Sequence, residues 1–385
     1  MENARQEILK NVKKVLVKIG SAVLTGDDGL DLKIIDSLVQ DMSDLADKGY
    51  SIVLVTSGAI VSGKHRMKIT EQLKSIPEKQ AAAAIGQGRL MRVYSKAFEK
   101  NGHYVAQILL TLADLTDRQR YLNIRNTLST LLEWRTIPII NENDTVAVDE
   151  IKFGDNDNLA AMIANIIEAD LFINLTSTEG LYDCNPAVSK KAKLIRTVSE
   201  FSEHIEAAAT EETSSSGTGG MKSKILSAKK VTAIGIPCII APGKKDNVLT
   251  AIMAGKEIGT LFLPMANRLN SKKYWIAFTL RPRGRLIIDD GAQKALLEKG
   301  KSLLPSGIID VEGNFDIGDA VNCVGCDGSI LAKGLVNFSS EQINKIKGLK
   351  TTQIKQVLGN KDYDEVIHRD NLAIITKQNY KSKSL

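Results

Sequence analysis

The sequence predicts an α/β protein, in which an open, mostly parallel sheet with helices on both faces is followed by a small β-rich domain. Three observations support this fold class. Short β-branched runs recur through the first 270 of the 385 residues, and each run ends in small or polar residues. Segments with apolar residues at helical spacing lie between these runs. After Arg268 these segments give way to short strands separated by Gly, Pro and Asp turns.

Five apolar runs are predicted to be buried strands of the parallel sheet. They are Val15–Ile19, Ile52–Val55, Ile137–Ile140, Leu171–Leu175 and Ile236–Ile240. Helical spacing predicts four helices, which are Leu32–Lys48, Ile85–Lys100, Tyr121–Trp134 and Asn158–Glu168. Because strands alternate with helices, we expect crossover connections and parallel strand pairing.

We predict a catalytic domain over residues 1–270, a β-rich domain over 274–368 and a basic tail over 369–385. Predicted strands of the second domain are Trp275–Thr279, Arg285–Ile288, Ile308–Val311, Ala320–Val324 and Ile330–Leu335. Residues 271–385 hold 18 basic and 13 acidic residues, so they carry a net charge of +5 out of +6 for the whole chain. This excess is compatible with an anionic partner such as RNA, but on charge alone a solvated surface with a loose tail is the favoured interpretation.

Composition excludes several classes of protein. Hydrophobic residues make up 43% and charged residues 25% of the chain, which excludes a wholly disordered protein. No uncharged run approaches the roughly 20 apolar residues of a membrane span, and residues 1–14 lack the apolar core of a secretory signal. Four cysteines are too few for a disulfide-built fold, so we predict a cytoplasmic protein. Cys323 and Cys326 are interpreted as ordinary small residues of a turn or strand.

Ligands of open α/β sheets bind beyond the carboxyl ends of the strands, so the residues there are candidate site residues. They are Lys18, Gly20, Ser21, Thr56, Ser57, Gly58, Ala59, Asn141, Asn143, Asp144, Gly154–Asn158, Thr176, Ser177 and Thr218–Lys224. Glycine turns before helices present N–H groups to phosphate, and lysines neutralise a phosphoryl group in transfer. Carboxylates orient the lysines or hold Mg²⁺. All four histidines lie outside this set, and Gly217–Lys224 does not match the P-loop pattern, so we predict a different phosphate-handling site.

Together these segments resemble the amino-acid kinase family, and within it the glutamate 5-kinases that carry a carboxy-terminal PUA domain. The matching motifs are Val17–Ser21, Val55–Ile60, Ile140–Asp144, Gly154–Leu159, Glu179–Tyr182 and Gly217–Met221. The paired Asn-Glu-Asn-Asp and Gly-Asp-Asn-Asp-Asn motifs are the most specific to glutamate 5-kinases. Matches to the PUA domain are Gly284–Ala292, Leu303–Ile308, Gly313–Phe315 and Gly318–Asp319. The resemblance covers nearly the whole chain.

The resemblance implies ATP-dependent phosphorylation of the L-glutamate γ-carboxylate to γ-glutamyl 5-phosphate, the first step of proline biosynthesis, with ATP and Mg²⁺ as cofactors. The implied catalytic residues are Lys18, Asp157 and Lys224, and none is implied as a metal ligand. The implied ATP-binding residues are Lys18, Thr176, Ser177, Thr218, Gly219, Gly220, Met221, Lys222, Ser223 and Lys224. The implied glutamate-binding residues are Ser57, Asp144 and Asn156. Many family members carry Thr-Asp where this chain has Thr176-Ser177, which leaves a nucleotide contact and the nucleotide preference open.

The resemblance also implies partners. We expect proline to inhibit at or beside the glutamate pocket, near Asp144 and the loop Val146–Lys152. A homo-oligomer, either a dimer or a tetramer, and a glutamyl phosphate reductase that receives the product are further expectations. The PUA domain is expected to bind RNA or to act in assembly or regulation.

Two alternatives remain at this stage. One is a related kinase of acetylglutamate, aspartate or carbamate, and the Asn-Glu-Asn-Asp loop and the PUA domain argue against it. The other is an RNA-binding or RNA-modifying protein led by the PUA domain, and the kinase-like first 270 residues argue against that.

Overall fold

The structure of the chain is a computed structural model. It describes residues 2–26, 29–146, 156–186, 188–189, 191–202, 205, 220–265, 271–359 and 363–375. The chain divides into two compact units, Met1–Arg268 and Leu269–Leu385. None of the helices in the described ranges is long and apolar enough to cross a membrane.

The first unit is built on an eight-stranded sheet. The strands of this unit are β1 (Lys14–Ile19), β2 (Thr25–Gly26), β3 (Gly29–Leu30), β4 (Ser51–Val55), β5 (Val105–Leu110), β6 (Ile137–Glu142), β7 (Leu171–Thr176), β8 (Thr197–Val198), β9 (Cys238–Pro242) and β10 (Thr260–Phe262). The sheet order is β5-β6-β4-β1-β7-β9-β10-β8, and β2 and β3 form a separate hairpin. All neighbouring strands of the large sheet run parallel except β9 and β10, which confirms the prediction of a mostly parallel sheet.

Helices cover both faces of this sheet. They are α1 (Glu2–Lys10), α2 (Ser21–Leu24), α3 (Leu32–Asp47), α4 (Ala59–Arg66), α5 (Ile76–Lys100), α6 (Leu112–Thr116), α7 (Arg118–Glu133), α8 (Asn156–Ile166), α9 (Met221–Ala233) and α10 (Val248–Met253). Val15, Val17 and Ile19 of β1 pack in a core with α3, α5 and α10. Leu16 packs in a second core with α7, α8 and α9. The run of consecutive apolar residues is therefore explained by burial of β1 on both faces.

Helix α5 and strand β5 are among the elements of the first unit that differ from the sequence prediction. Helix α5 begins at Ile76 rather than Ile85, because Ser75 and Glu78 form a capping box and Pro77 lies in the first turn. Strand β5 was not predicted. It lies at the edge of the sheet and exposes Gln107 and Leu109, so it lacks the continuous apolar run of the central strands.

Arg5 joins helix α1 to the turn before β10. Its Nη1 donates to the carbonyl oxygens of Lys256 at 2.7 Å and Ile258 at 3.0 Å, and Arg5 is only 4% exposed. We expect Arg5→Met to lower the free energy of unfolding by about 2 kcal/mol, because one buried and one part-buried carbonyl group lose a charged donor. Urea denaturation of the full chain measures this change. Arg196→Met is the control, since exposed Arg196 donates to the neighbouring Glu257 carbonyl, and an equal loss in both variants would contradict the prediction.

The second unit contains a five-stranded sheet with the order β12-β11-β13-β14-β15. Its strands are β11 (Gly284–Ile288), β12 (Ile308–Gly313), β13 (Ala320–Val324), β14 (Ile330–Leu335) and β15 (Leu372–Ile374). Its helices are α11 (Ser271–Tyr274), a π-helix (Trp275–Thr279), α12 (Asp290–Leu297), α13 (Ser340–Ile346), α14 (Ile354–Leu358) and the 3₁₀ turns Pro305–Gly307, Thr351–Gln353 and Arg369–Asn371. Strands β11 and β13 pair in parallel, and the other pairs are antiparallel. The predicted β-rich domain is thus confirmed.

The predicted strand Trp275–Thr279 is wrong, because this segment is a π-helix. Its buried residues Ile276 and Ala277 pack against Ala373, while Lys333 Nζ donates to the carbonyl oxygens of Ala277 and Leu280 at 2.8 and 2.9 Å. The Lys333 side chain therefore supplies these two carbonyl groups with hydrogen bonds that, in a β-strand, the N–H groups of a neighbouring strand would supply.

The segment predicted as a basic tail is also corrected in part. Residues Leu372–Ile374 pair with β14, and Ile375 is buried. These apolar residues complete the sheet, so residues 372–375 do not belong to the tail. The remaining predicted domain limits stay predictions.

Candidate active site

Lys18, Asp157 and Lys224 meet at the carboxyl edge of the large sheet. Lys18 Nζ lies 2.5 Å from Asp157 Oδ1, and Lys224 Nζ lies 3.4 Å from Asp157 Oδ2. Ser223 Oγ donates to Asp157 Oδ2 at 2.6 Å, and Asn174 Nδ2 donates to Asp157 Oδ1 at 3.0 Å. One carboxylate therefore holds two ammonium groups in a fixed arrangement.

The fold brings these side chains together from four elements. Lys18 is the penultimate residue of β1 and lies level with Asn174 in the neighbouring parallel strand β7. Asp157 lies in the first turn of α8, and Ser223 and Lys224 lie in the first turn of α9. Because both helices begin at the same edge of the sheet, residues distant in sequence become neighbours.

Burial and charge together determine the ionisation of this cluster. Lys18, Asp157 and Lys224 are 4%, 1% and 5% exposed. Burial alone would raise the pKa of Asp157, but the charges of Lys18 and Lys224 outweigh it and hold the pKa well below the ordinary carboxyl value. Asp157 is therefore ionised at neutral pH, and the cluster of three groups carries net positive charge.

A second cluster of polar side chains adjoins the first through the neighbouring residue Asn156. Asn156 Nδ2 donates to the Thr56 carbonyl at 2.9 Å, to Ser57 Oγ at 2.9 Å and to Asn141 Oδ1 at 3.1 Å. Asn141 Nδ2 in turn donates to Gln87 Oε1 at 2.9 Å. This cluster is uncharged and offers donors and acceptors rather than cations.

The turn after β4 shapes this second cluster. Gly58 has φ of +99°, a left-handed conformation that favours glycine, and it precedes helix α4. The buried hydroxyl of Tyr94 lies 2.9 Å from Thr56 Oγ1. The turn that carries Ser57 is thus tied to helix α5.

The other predicted site residues differ in burial. Thr176 is buried at the end of β7, while Ser177 beside it is exposed. In the first turn of α9, Met221 is buried and Lys222 is exposed, and Gly220 is the residue before the helix. Asp144 is half-buried in the turn after β6. Outside the described residues lie Thr218, Gly219, Gly154, Asp155 and most of the predicted proline loop, residues 147–152.

Two residues of the site were not among the predicted site residues. Asn174 has a visible signal, because it is the one amide within the apolar strand Leu171–Thr176 and stands two residues before its end. Gln87 has a weaker signal, since it lies in the middle of a long helix and in none of the motifs.

Two features of the first cluster suit a polyphosphate ligand. A Cβ on Gly20 would lie 3.8 Å from Lys18 Nζ, so the missing side chain leaves room beside that ammonium group. The helix α9 begins after Gly220 without a side-chain hydrogen bond from that residue, and its first N–H groups suit an anion.

The cluster does not offer a dedicated cage for Mg²⁺. Both oxygens of Asp157 already accept hydrogen bonds or pair with lysines. Across the part of the chain that the structure describes, no three His, Cys, Asp or Glu side chains group as metal ligands. The donor set therefore fits Mg²⁺ that arrives bound to phosphate oxygens.

Known protein families and known proteins match most of the chain. The amino acid kinase family matches residues 13–242, and the PUA domain matches residues 284–358. A glutamate 5-kinase of Syntrophus aciditrophicus (strain SB) is 70% identical over 377 residues, covering 98% of each chain. A glutamate 5-kinase of Caldanaerobacter subterraneus subsp. tengcongensis is 52% identical over 365 residues, covering 94% of this chain and 98% of that protein. Among solved structures, UMP kinase from Bacillus anthracis matches with a TM-score of 0.45 and 14% identity, covering 66% of this chain and 97% of that chain.

Proposed function

Because the chain belongs to the amino acid kinase family, as a glutamate 5-kinase with a PUA domain, we propose that it transfers the γ-phosphoryl group of ATP to the γ-carboxylate of L-glutamate. The observation that carries this proposal is the buried Lys18–Asp157–Lys224 cluster at the carboxyl edge of the sheet. The product, γ-glutamyl 5-phosphate, would enter proline biosynthesis.

The chemistry requires positive charge rather than a base. A γ-carboxylate oxygen of glutamate attacks the γ-phosphorus, and the bond to the β,γ-bridging oxygen breaks to release ADP. The nucleophile is already ionised at neutral pH, so no proton has to be removed. Two anions must instead approach each other, and Lys18 and Lys224 neutralise the charge on the transferred group.

Each of the two clusters has a role in this proposal. Asp157 keeps both ammonium groups in place before the nucleotide binds, so they need no rearrangement during the reaction. Mg²⁺ bound to the phosphates would supply further neutralisation. Thr176, Ser177, Gly220, Met221, Lys222 and Ser223 would border the nucleotide. Ser57, Asn156 and Asp144 would bind glutamate, with Asp144 suited to its ammonium group.

The test is hydroxamate formation with ATP, Mg²⁺ and hydroxylamine, comparing L-glutamate, acetylglutamate and aspartate. We expect a signal with L-glutamate alone. Lys224→Ala is expected to lower kcat about 100-fold, because one positioned cation is lost from the transition state. Lys96→Ala, at an exposed lysine of helix α5, should leave kcat unchanged.

The outcomes separate the parts of the proposal. A signal with acetylglutamate or aspartate but not glutamate would overturn the substrate, and no signal with any acid would overturn the reaction. Equal rates for Lys224→Ala and the wild type would overturn the assigned site. Proline added to the same assay should raise the KM for glutamate, since we infer that it competes near Asp144, and a full titration without loss of rate would exclude this inhibition.

A further inference from the structure

Three amide side chains form a relay at the edge of the proposed glutamate site. It runs from Asn156 Nδ2 to Asn141 Oδ1, and from Asn141 Nδ2 to Gln87 Oε1, with distances of 3.1 and 2.9 Å. Asn141 is 2% exposed, so the central member of the relay is shielded from water, while Gln87 and Asn156 are half-buried. Gln87 is the member of the relay that belongs to none of the sequence motifs.

One backbone carbonyl fixes the orientation of all three amides. The Thr56 carbonyl can only accept, so the Asn156 atom that faces it at 2.9 Å is Nδ2. Asn141 must then present Oδ1 to Asn156 and Nδ2 to Gln87, which in turn presents Oε1. Two buried atoms at the ends of the relay, Asn156 Oδ1 and Gln87 Nε2, have no partner among the described residues.

An unpaired buried amide atom is costly, so its presence beside a candidate site points to a ligand. Asn156 Oδ1 is an acceptor, and its natural partner is a donor such as an ammonium group. This oxygen stays turned away from the Thr56 carbonyl because that carbonyl, Ser57 Oγ and Asn141 Oδ1 all face Nδ2 as acceptors.

Helix α5 holds Gln87 in place as the last member of this relay. Gly86 packs against helix α4 so closely that a Cβ would fall 1.8 Å from the carbonyl oxygen of Ala59. Two turns further along the helix, Tyr94 bonds to Thr56. Gln87 therefore stands at a fixed distance from the strand end that carries Thr56 and Ser57.

We propose that Gln87 is a positioning residue for the amino-acid substrate: through Asn141, and together with the Thr56 carbonyl and Ser57 Oγ, it holds Asn156 so that Oδ1 accepts a hydrogen bond from the substrate ammonium group. This inference rests on the proposed function. Gln87 would thus favour acids that carry an ammonium group without contacting the substrate, because it acts through Asn141 and Asn156.

Equilibrium binding of L-glutamate and of glutarate, which lacks the ammonium group, tests the inference on the full chain by calorimetry. We expect Gln87→Met to weaken L-glutamate binding about tenfold, the loss of one hydrogen bond to a charged group, and to leave glutarate binding unchanged. Gln87→Glu keeps an acceptor oxygen for Asn141, so it should retain the wild-type preference for L-glutamate over glutarate. Gln40→Met, at an exposed glutamine of α3, is the matched control.

A double-mutant cycle tests the route through Asn141. In an Asn141→Ala background, Gln87→Met should change L-glutamate affinity less than about twofold, because the relay is already cut. Additive losses, or equal losses for both acids, would overturn the inference and leave a merely structural role.

The binding and hydroxamate results separate this inference from the proposed function. The proposed reaction alone would be overturned if the wild type binds L-glutamate more tightly than glutarate, loses this preference in Gln87→Met, and yet forms no hydroxamate. Hydroxamate formation with an unchanged preference in Gln87→Met would overturn the inference alone. Absence of L-glutamate binding to the wild type would overturn both.

Discussion

Asp157→Asn is expected to lower kcat for acyl phosphate formation about 1,000-fold, the largest effect on activity that we predict. The substitution keeps the size of the side chain but removes the charge that holds two ammonium groups within 3.4 Å. Lys18 and Lys224 would then repel each other in a buried site, and neither would keep its place against the transferred phosphoryl group. The hydroxamate assay at saturating ATP and glutamate measures this loss.

The same substitution is expected to change stability in a pH-dependent way. The pKa of Asp157 in the folded protein is well below its ordinary value of about 3.9, so its ionised form stabilises the fold above that pH. Removing it should lower the free energy of unfolding by about 3 kcal/mol at pH 7, because two buried charges lose their partner. The stabilisation is lost as the pH falls through the folded-state pKa. The difference in free energy of unfolding between the wild type and Asp157→Asn should therefore become smaller below about pH 4.

Asp41→Asn is the matched control for a buried aspartate. Asp41 is also 1% exposed, but it accepts hydrogen bonds from the Leu249 N–H and the Thr250 hydroxyl, and burial raises the pKa of its carboxyl group. We expect Asp41→Asn to leave kcat within about twofold of the wild type, since surface and structural sites away from the chemistry act on stability. Similar kcat losses in both variants would contradict a special role for Asp157.

Much of the site could be predicted because its chemistry is concentrated at strand ends. Lys18 follows an apolar run, and Asp157 opens a helix after an acidic cluster, so sequence position alone indicates the edge of the sheet. The strand order places β1 beside β7, and so brings Lys18 level with Asn174, which donates to Asp157. Strand order is a non-local property that no single segment of sequence carries.

Gln87 could not be predicted for a related reason. Its role depends on the close approach of helices α4 and α5, which the sequence shows only as glycines within helices. Isolated glycines usually lower the confidence of a helix prediction, and here they mark backbone contact. The prediction of a strand at Trp275–Thr279 was wrong for the same kind of reason. The π-helix there depends on a distant residue, because Lys333 of β14 donates hydrogen bonds to the carbonyl oxygens of Ala277 and Leu280.

Gly86→Ala is expected to lower the free energy of unfolding by about 3 kcal/mol, as overpacking of a fixed contact does. The added methyl group would fall 1.8 Å from the Ala59 carbonyl oxygen and 2.4 Å from the Gly63 nitrogen. Both atoms belong to the backbone of helix α4, so no side-chain rotation relieves the clash and the helices must separate. Urea denaturation followed by circular dichroism measures the change.

Gly88→Ala gives the control on the same helix, since no atom lies within 4 Å of a Cβ built at that position. There the alanine should stabilise the protein by about 0.5–1 kcal/mol, because it lowers the backbone entropy of the unfolded chain without a clash. Separation of the helices in Gly86→Ala would also move Gln87 away from Asn141, so L-glutamate affinity should fall together with stability. A Gly86→Ala protein as stable as Gly88→Ala would show that α4 and α5 do not meet at backbone contact, and the rigid support of the amide relay would then have to come from Tyr94 and Thr56 alone.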